Sequence, residues 1–164
     1  MPNWCENTAR FFNPSKGLID RIQTELETVD EDGFPSGQLF NLLRPCPLDQ
    51  ADDWYNWNVT NWGTKWDASE IRFQRNDDYT VTVFFETAWA PPIALYEYLV
   101  AADWQIEALA HEPGMAFVSR FLNGALEEYE YDISDPDSKN DIPQELVEWA
   151  GLEDAFLEYQ ESQD

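Results

Sequence analysis

The stretch WYNWNVTNWGTKWD, residues 54–67, restricts the fold more than any other part of the chain. It holds half of the eight tryptophans, Trp54, Trp57, Trp62 and Trp66, with Tyr55 beside them. A large ring is worth roughly 2–3 kcal/mol when fully buried, so a solvated linker would not collect so many. Asn56, Asn58, Asn61, Gly63 and Asp67 are turn formers rather than helix formers. The segment is therefore expected to be irregular, and the rest of the chain must cover it.

The flanking periodicities show what is available for that cover. Residues 7–12 read as a first strand, ended by Asn13-Pro14. Ser15 is placed to cap a helix over 16–29, with Ile19, Ile22, Leu26 and Val29 on one face. Residues 30–37 are turn chemistry, and Pro45 and Pro47 around Cys46 fix an extended segment after the apolar run at 39–43. Beyond the tryptophans, 71–75 and 80–86 read as strands separated by Asn76-Asp77-Asp78. Val81, Val83 and Phe85 share one face of the second strand, and Thr80, Thr82, Phe84 and Glu86 the other. Ala90-Pro91-Pro92 opens a helix to about Asp103, with Leu95, Tyr96, Leu99 and Val100 as its apolar stripe.

Residues 104–110 alternate again, with Trp104, Ile106, Ala108 and Ala110 on one side. Asn123-Gly124 then joins 115–121 to 125–131 as a hairpin. After a polar break at 132–141, Leu146, Trp149 and Ala150 form one helical stripe and Leu152, Ala155, Phe156 and Tyr159 another. These last helices need a surface, either a sheet face or another chain. The element order predicts one α+β domain over 1–164. Its core, 1–131, is a ferredoxin-like split βαβ unit with the tryptophan-rich insertion at 54–67 and an additional β-hairpin at 115–131; a C-terminal helical region, 141–160, packs on that core.

Charge and cysteine content narrow the chemistry. Nine basic residues against 33 acidic ones leave a formal charge of −24. Such a surface repels DNA and anionic lipid and attracts basic proteins, so direct nucleic-acid binding is excluded and a membrane is not expected. No apolar run reaches the length of a membrane span, and MPNWCENTARFF has no leader pattern. Cys5 and Cys46 are expected to be reduced thiols of a cytoplasmic chain. Catalytic residues, a metal and cofactors are not predicted. His111 is the only histidine and is expected in a turn, in Ala-His-Glu-Pro-Gly. The two cysteines and His111 lack ligand spacing, and Asp52-Asp53 and Asp77-Asp78 lack a calcium-loop pattern.

Two regions are left as candidates. In the tryptophan segment, Trp57, Trp62, Lys65 and Trp66 either fold into the core or line a groove that grips a peptide or small ligand. The second region is acidic. From Glu127 onward the chain carries fourteen acidic residues against Lys139 alone, interleaved with Trp149, Phe156 and Tyr159. That pattern predicts a folded acidic surface, on which Glu127, Glu128, Glu130, Asp132, Asp135 and Asp137 are the candidate partner-binding residues. The same acid also serves solubility or a salty medium.

MPNWC, the RPCP step, WYNW…NWGTKWDA and FETAWAPP, with FVSRFLNG in the hairpin, resemble the YubB-type ferredoxin-like proteins of bacteriophages and plasmids. The resemblance spans residues 1–92 and the hairpin, and it does not reach the acidic tail. It implies the ferredoxin-like fold and a mobile-element origin, with no defined activity. Together with the charge, it leads to the expectation of a non-enzymatic, phage-type protein in the bacterial cytoplasm. Such a protein would bind and inhibit a basic, nucleic-acid-handling host protein, as a DNA mimic acting against restriction or another host function. The alternative is a ligand- or peptide-binding module built on the tryptophan segment.

Overall fold

The computed structural model describes residues 3–164; Met1 and Pro2, which begin the MPNWC motif, lie outside them. Alternation builds the middle of the sheet. Strand β1 (Trp4–Phe12) starts ahead of the expected 7–12 and buries every second residue, Cys5, Asn7, Ala9 and Phe11. Strand β2 (Ser69–Asp77) and strand β3 (Thr80–Ala88) follow the tryptophan segment, and β3 buries Val81, Val83 and Phe85 on the predicted face. Strand β4 (Gln105–Glu112) runs through His111 instead of ending before it. Strands β5 (Phe117–Leu122) and β6 (Ala125–Glu130) form the hairpin, and its turn takes positive φ at both Asn123 and Gly124, as a two-residue loop requires.

The six strands lie in the order β2-β3-β1-β4-β5-β6, with every neighbouring pair antiparallel. The architecture is α+β: an open sheet with helices packed on it. One face, here the front, carries the larger core. Helix α1 (Lys16–Leu26) supplies Ile19, Ile22 and Leu26 to it, and helix α4 (Ile93–Ala101) supplies Leu95, Tyr96 and Leu99. They meet Ala9, Phe11, Val83, Ile106 and Phe121 of the sheet.

The first helix is shorter than its periodicity predicts. It ends at Leu26, and Val29 is 55% exposed in an isolated bridge to Pro35. Asp30 is the reason: its carboxylate accepts from the Asp32 and Phe34 amides and holds a local turn that competes with helix. Ser15 stands at the N-cap without a side-chain bond; the Leu18 amide donates to the Ser15 carbonyl, and the Asn13 Oδ1 takes the Ser15 amide.

The largest correction lies between residues 38 and 62. Leu39–Leu43, the apolar run, is a short helix (α2), Leu48–Asp53 is a 3-10 turn, and Trp54–Asn61 is a helix (α3), where 54–67 was expected to be irregular. The prolines act only from Arg44 onward; that residue is extended, as a residue before proline tends to be. The asparagines that argued against helix are tied down locally. Asn61 bonds to the Trp57 carbonyl, Asn56 to the Asp53 carboxylate, and Asn58 to the Lys65 carbonyl.

The tail docks on its own chain. Helix α5 (Gln144–Trp149) and helix α6 (Leu152–Gln163) join at Gly151, whose φ is +67°, and press on the back of the sheet at β4, β5 and β6. Ile142, Leu146, Val147, Leu152 and Phe156 form a second core with Val118. Each fully buried aliphatic or aromatic side chain there contributes roughly 1.5–3 kcal/mol. Among the described residues no helix packs on the back of β2, β3 and β1.

Candidate functional site

Most of the NWGTKWD motif serves packing. Trp62 is 5% exposed; its ring meets Phe40 and Trp57 edge-on, and its indole N–H donates to the Arg44 carbonyl at 2.9 Å. Gly63 has φ +94°, and a Cβ there would stand 3.2 Å from the Ile93 and Ala94 nitrogens, so the chain passes α4 closely enough for Leu95 N to reach the Trp62 carbonyl. Thr64 donates to the Ala88 carbonyl at the end of β3. Asp67 accepts from the Phe40 and Asn41 amides and so caps α2 from a distance of more than twenty residues. Burial raises its pKa, although the Phe40, Asn41 and Ala68 amides oppose that shift.

Lys65 and Trp66 are what remain. Trp66 is 38% exposed, leans on Trp4 at 6.2 Å and carries the Lys65 ammonium 4.4 Å above its ring. Trp54 and Tyr55 are exposed on α3. Of the four residues expected to line a groove, Trp62 belongs to the core, Trp57 is half-buried against it, and Lys65 and Trp66 form an outer strut. They do not converge on either of the two cavities described below.

The six candidate carboxylates are all exposed but divide between two sides of β6 and the turn beyond it. Glu127 shares a side with Tyr129 and meets Arg120 at 2.7 Å, and that guanidinium also reaches Glu145 of α5. Glu128 and Glu130 lie on the other side, opposite Ser119 and Phe117. Asp132 accepts from the Ser134 hydroxyl and amide, which holds its carboxyl below the usual range, and Asp135 accepts from the Asp137 amide to start a 3-10 turn. Among the described residues, Glu128, Glu130 and Asp137 have no ion pair.

His111 is buried in β4 and not in a turn. Its Nε2 lies 2.9 Å from the Tyr131 hydroxyl, and Tyr131 packs on Phe156 of α6. Burial lowers its pKa against the opposing pull of Glu6 and Glu112, and through Tyr131 the ring ties β4 to the tail. Burial likewise pushes the Cys5 thiol up to about 12, which leaves it unreactive. Among the described residues no group of three or more His, Cys, Asp or Glu side chains is placed to hold a metal. No helix there is long and apolar enough to cross a membrane.

Two cavities indent the surface. A small apolar one of about 170 Å³ lies between α1, α2 and α4, beside Ile22, Leu42 and Leu99. A wide one of about 1040 Å³ opens over the back of β1, β2 and β3, bounded by Trp149 and by residues 34–37. Sequence reasoning passed over this second place, although the alternation that sets Phe84 and Glu86 opposite the buried valines was a signal for it.

No protein-family model matches the chain, and no curated protein is similar to it. Among solved structures the chain is similar to the crystal structure of protein api92 from Yersinia pseudotuberculosis, described by the family model DUF1281. The identity is 10% and the TM-score 0.52, over 80% of this chain and 99% of that one. The likeness is one of fold.

Proposed function

We propose that this chain is a non-enzymatic, acidic binding protein whose partner is a basic protein that handles nucleic acid. The observation that carries the reading is the set of unneutralised carboxylates on an ordered scaffold. Glu128 and Glu130 stand on a strand locked into the sheet, and Asp137 on a hydrogen-bonded turn, with no cation within ion-pair distance among the described residues. Carboxylates carried on an ordered backbone cost little main-chain freedom when a cationic surface arrives, and they steer the encounter from a distance. In this reading the ligand site of the DNA-handling partner is filled by protein carboxylates in place of phosphates.

The core is a ferredoxin-like split βαβ unit in this reading. Support comes from the order β2-β3-β1-β4, which places the second and third strands on one side of β1 and the fourth on the other. The MPNWC, RPCP, NWGTKWDA and FETAWAPP motifs align it with the YubB-type proteins of phages and plasmids. A mobile-element product acting in the bacterial cytoplasm has a use for blocking restriction or another host defence. The same acid has a simpler role at β6, where charges on a sheet edge deter pairing with another strand.

Capture from bacterial lysate on the immobilised chain, followed by mass spectrometry, tests the proposal. The expected catch is a basic nucleic-acid-binding protein that is retained at about 50 mM salt and released by a few hundred millimolar. The catch should be lost in Glu127→Gln/Glu128→Gln/Glu130→Gln while the fold is kept. A partner that survives both treatments but is lost in Trp66→Ala would replace this reading with the tryptophan-segment module.

A further inference from the structure

We infer that the open back of β1, β2 and β3 is the place where an extended, arginine-bearing segment of the basic partner lies. The inference rests on the function proposed above and adds to the β6 carboxylates a second contact on another part of the sheet.

Three observations lead there. The tail helices cover the back of the sheet only at β4, β5 and β6, so half of that face is unpartnered, and it forms the wall of the cavity of about 1040 Å³. Register then sets two like charges side by side. Glu6 of β1 is paired directly with Glu86 of β3, and Glu70 stands at the bulged start of β2 in the same cavity wall. Like charges directly opposite on neighbouring strands repel, and among the described residues neither Glu6 nor Glu86 has an ion pair to relieve it. Finally, the cavity has aromatic walls: Phe84 in the floor and Trp149, at the end of α5, along one side. The chain's own Arg72, the one cation among the described residues of the lining, lies 5.6 Å over the Phe84 ring, which leaves Trp149 as the aromatic wall for an incoming guanidinium and three carboxylates against one positive charge.

A guanidinium is the group that matches this lining. Its planar fork bonds carboxylates while its face stacks on an aromatic ring, and a flat open sheet face accepts an extended chain whose alternate side chains point the same way. A nucleic acid strand is disfavoured by the three carboxylates, and an apolar helix by their charge.

The probe is a fluorescein-labelled peptide of about eight residues in which arginine alternates with serine, so that all guanidinium groups share one side. Titration by anisotropy, with amide and indole shifts followed by NMR on the full chain, reads both affinity and place. Shifts are expected at Glu6, Thr8, Phe84, Glu86 and the Trp149 indole. Glu6→Gln/Glu86→Gln is expected to weaken binding about tenfold or more. Glu158→Gln/Glu161→Gln/Asp164→Asn, which removes more charge at exposed positions outside the cavity, is expected to weaken it less than about threefold, as general screening would. The double variant relieves repulsion, so its thermal midpoint should rise and not fall.

A smaller loss in the double variant, shifts gathered on β6, or equal binding of a short oligothymidine would overturn the inference. Failure here with the β6 triple variant still releasing the lysate partner would leave the proposed function standing. Peptide binding in the cavity without any basic partner in lysate would leave the cavity and remove that function.

Discussion

The two faces of the sheet are finished differently. On the front, α1 and α4 close the core completely, and Trp62 with Phe40 seals the margin under α3. On the back, α5 and α6 cover three strands and stop, leaving the β1–β3 half to solvent and to its carboxylates. The front gathers the tryptophan-rich motif and turns it into packing. The uncovered half of the back sets Glu6 beside Glu86, and among the described residues neither has an ion pair. Unusual sequence on this chain is thus not a guide to function by itself; what matters is whether the side chains are already satisfied. Trp62, Thr64 and Asp67 are, whereas Glu6, Glu86, Glu128 and Glu130 are not.

Breaking the front should therefore cost the most. Trp62→Ala removes a buried ring and orphans the Arg44 carbonyl, and a loss of about 3–5 kcal/mol in urea unfolding is expected. On the back, Leu146→Ala should cost about 2–4 kcal/mol. Hydrogen exchange should then speed up in α5 and α6 while the amides of β1 and β3 stay protected, which would show the second core to be the weaker unit. Equal loss of protection on both faces would mean that the two cores unfold together.

His111 sharpens the contrast through pH. Its folded pKa is lowered, chiefly by burial, so between that value and the ordinary one near 6.5 the unfolded chain binds more protons. The stability contributed by the neutral ring is fully present above the unfolded pKa and is lost as pH falls through that window. The parent chain should therefore lose stability relative to His111→Gln as pH falls below the ordinary histidine value near 6.5. A constant difference across that range would mean that the folded ring titrates as the unfolded one does, with no lowering of its pKa by the tail contact.

The smallest effects distinguish the two aromatic and acidic surfaces. Glu86→Gln should stabilise the fold by about 0.2–1 kcal/mol by removing its repulsion with Glu6. Trp66→Ala, which removes an exposed strut, should change stability by less than about 1 kcal/mol. A larger loss there would make the outer half of NWGTKWD part of the packing after all.

The sequence disclosed the features that repeat at short range. Alternation at Val81, Val83 and Phe85, the stripe Leu95-Tyr96-Leu99 and the Asn123-Gly124 turn each carry their own local cause. It did not disclose α2 and α3, because the cap of α2 comes from Asp67 and because Asn56, Asn58 and Asn61 donate to Asp53, Lys65 and Trp57 in ways that a count of turn formers does not show. The stripes of α5 and α6 were visible, but not the half-sheet they would choose. Among candidate site residues, the exposure of the β6 carboxylates was foreseeable from their run. Their division onto two sides of the strand follows from period two. The facing of Glu6 and Glu86 was hidden, since it depends on the register between residues eighty apart in the chain.

The most direct test of the central claim uses the basic partner recovered from lysate. Its affinity is measured against salt for the parent chain, for Glu127→Gln/Glu128→Gln/Glu130→Gln and for Trp66→Ala. Recognition through unsatisfied carboxylates predicts a steep loss of affinity with salt, a drop of about tenfold or more in the triple variant, and no change in Trp66→Ala. Salt-independent binding that is kept by the triple variant and lost in Trp66→Ala would contradict it.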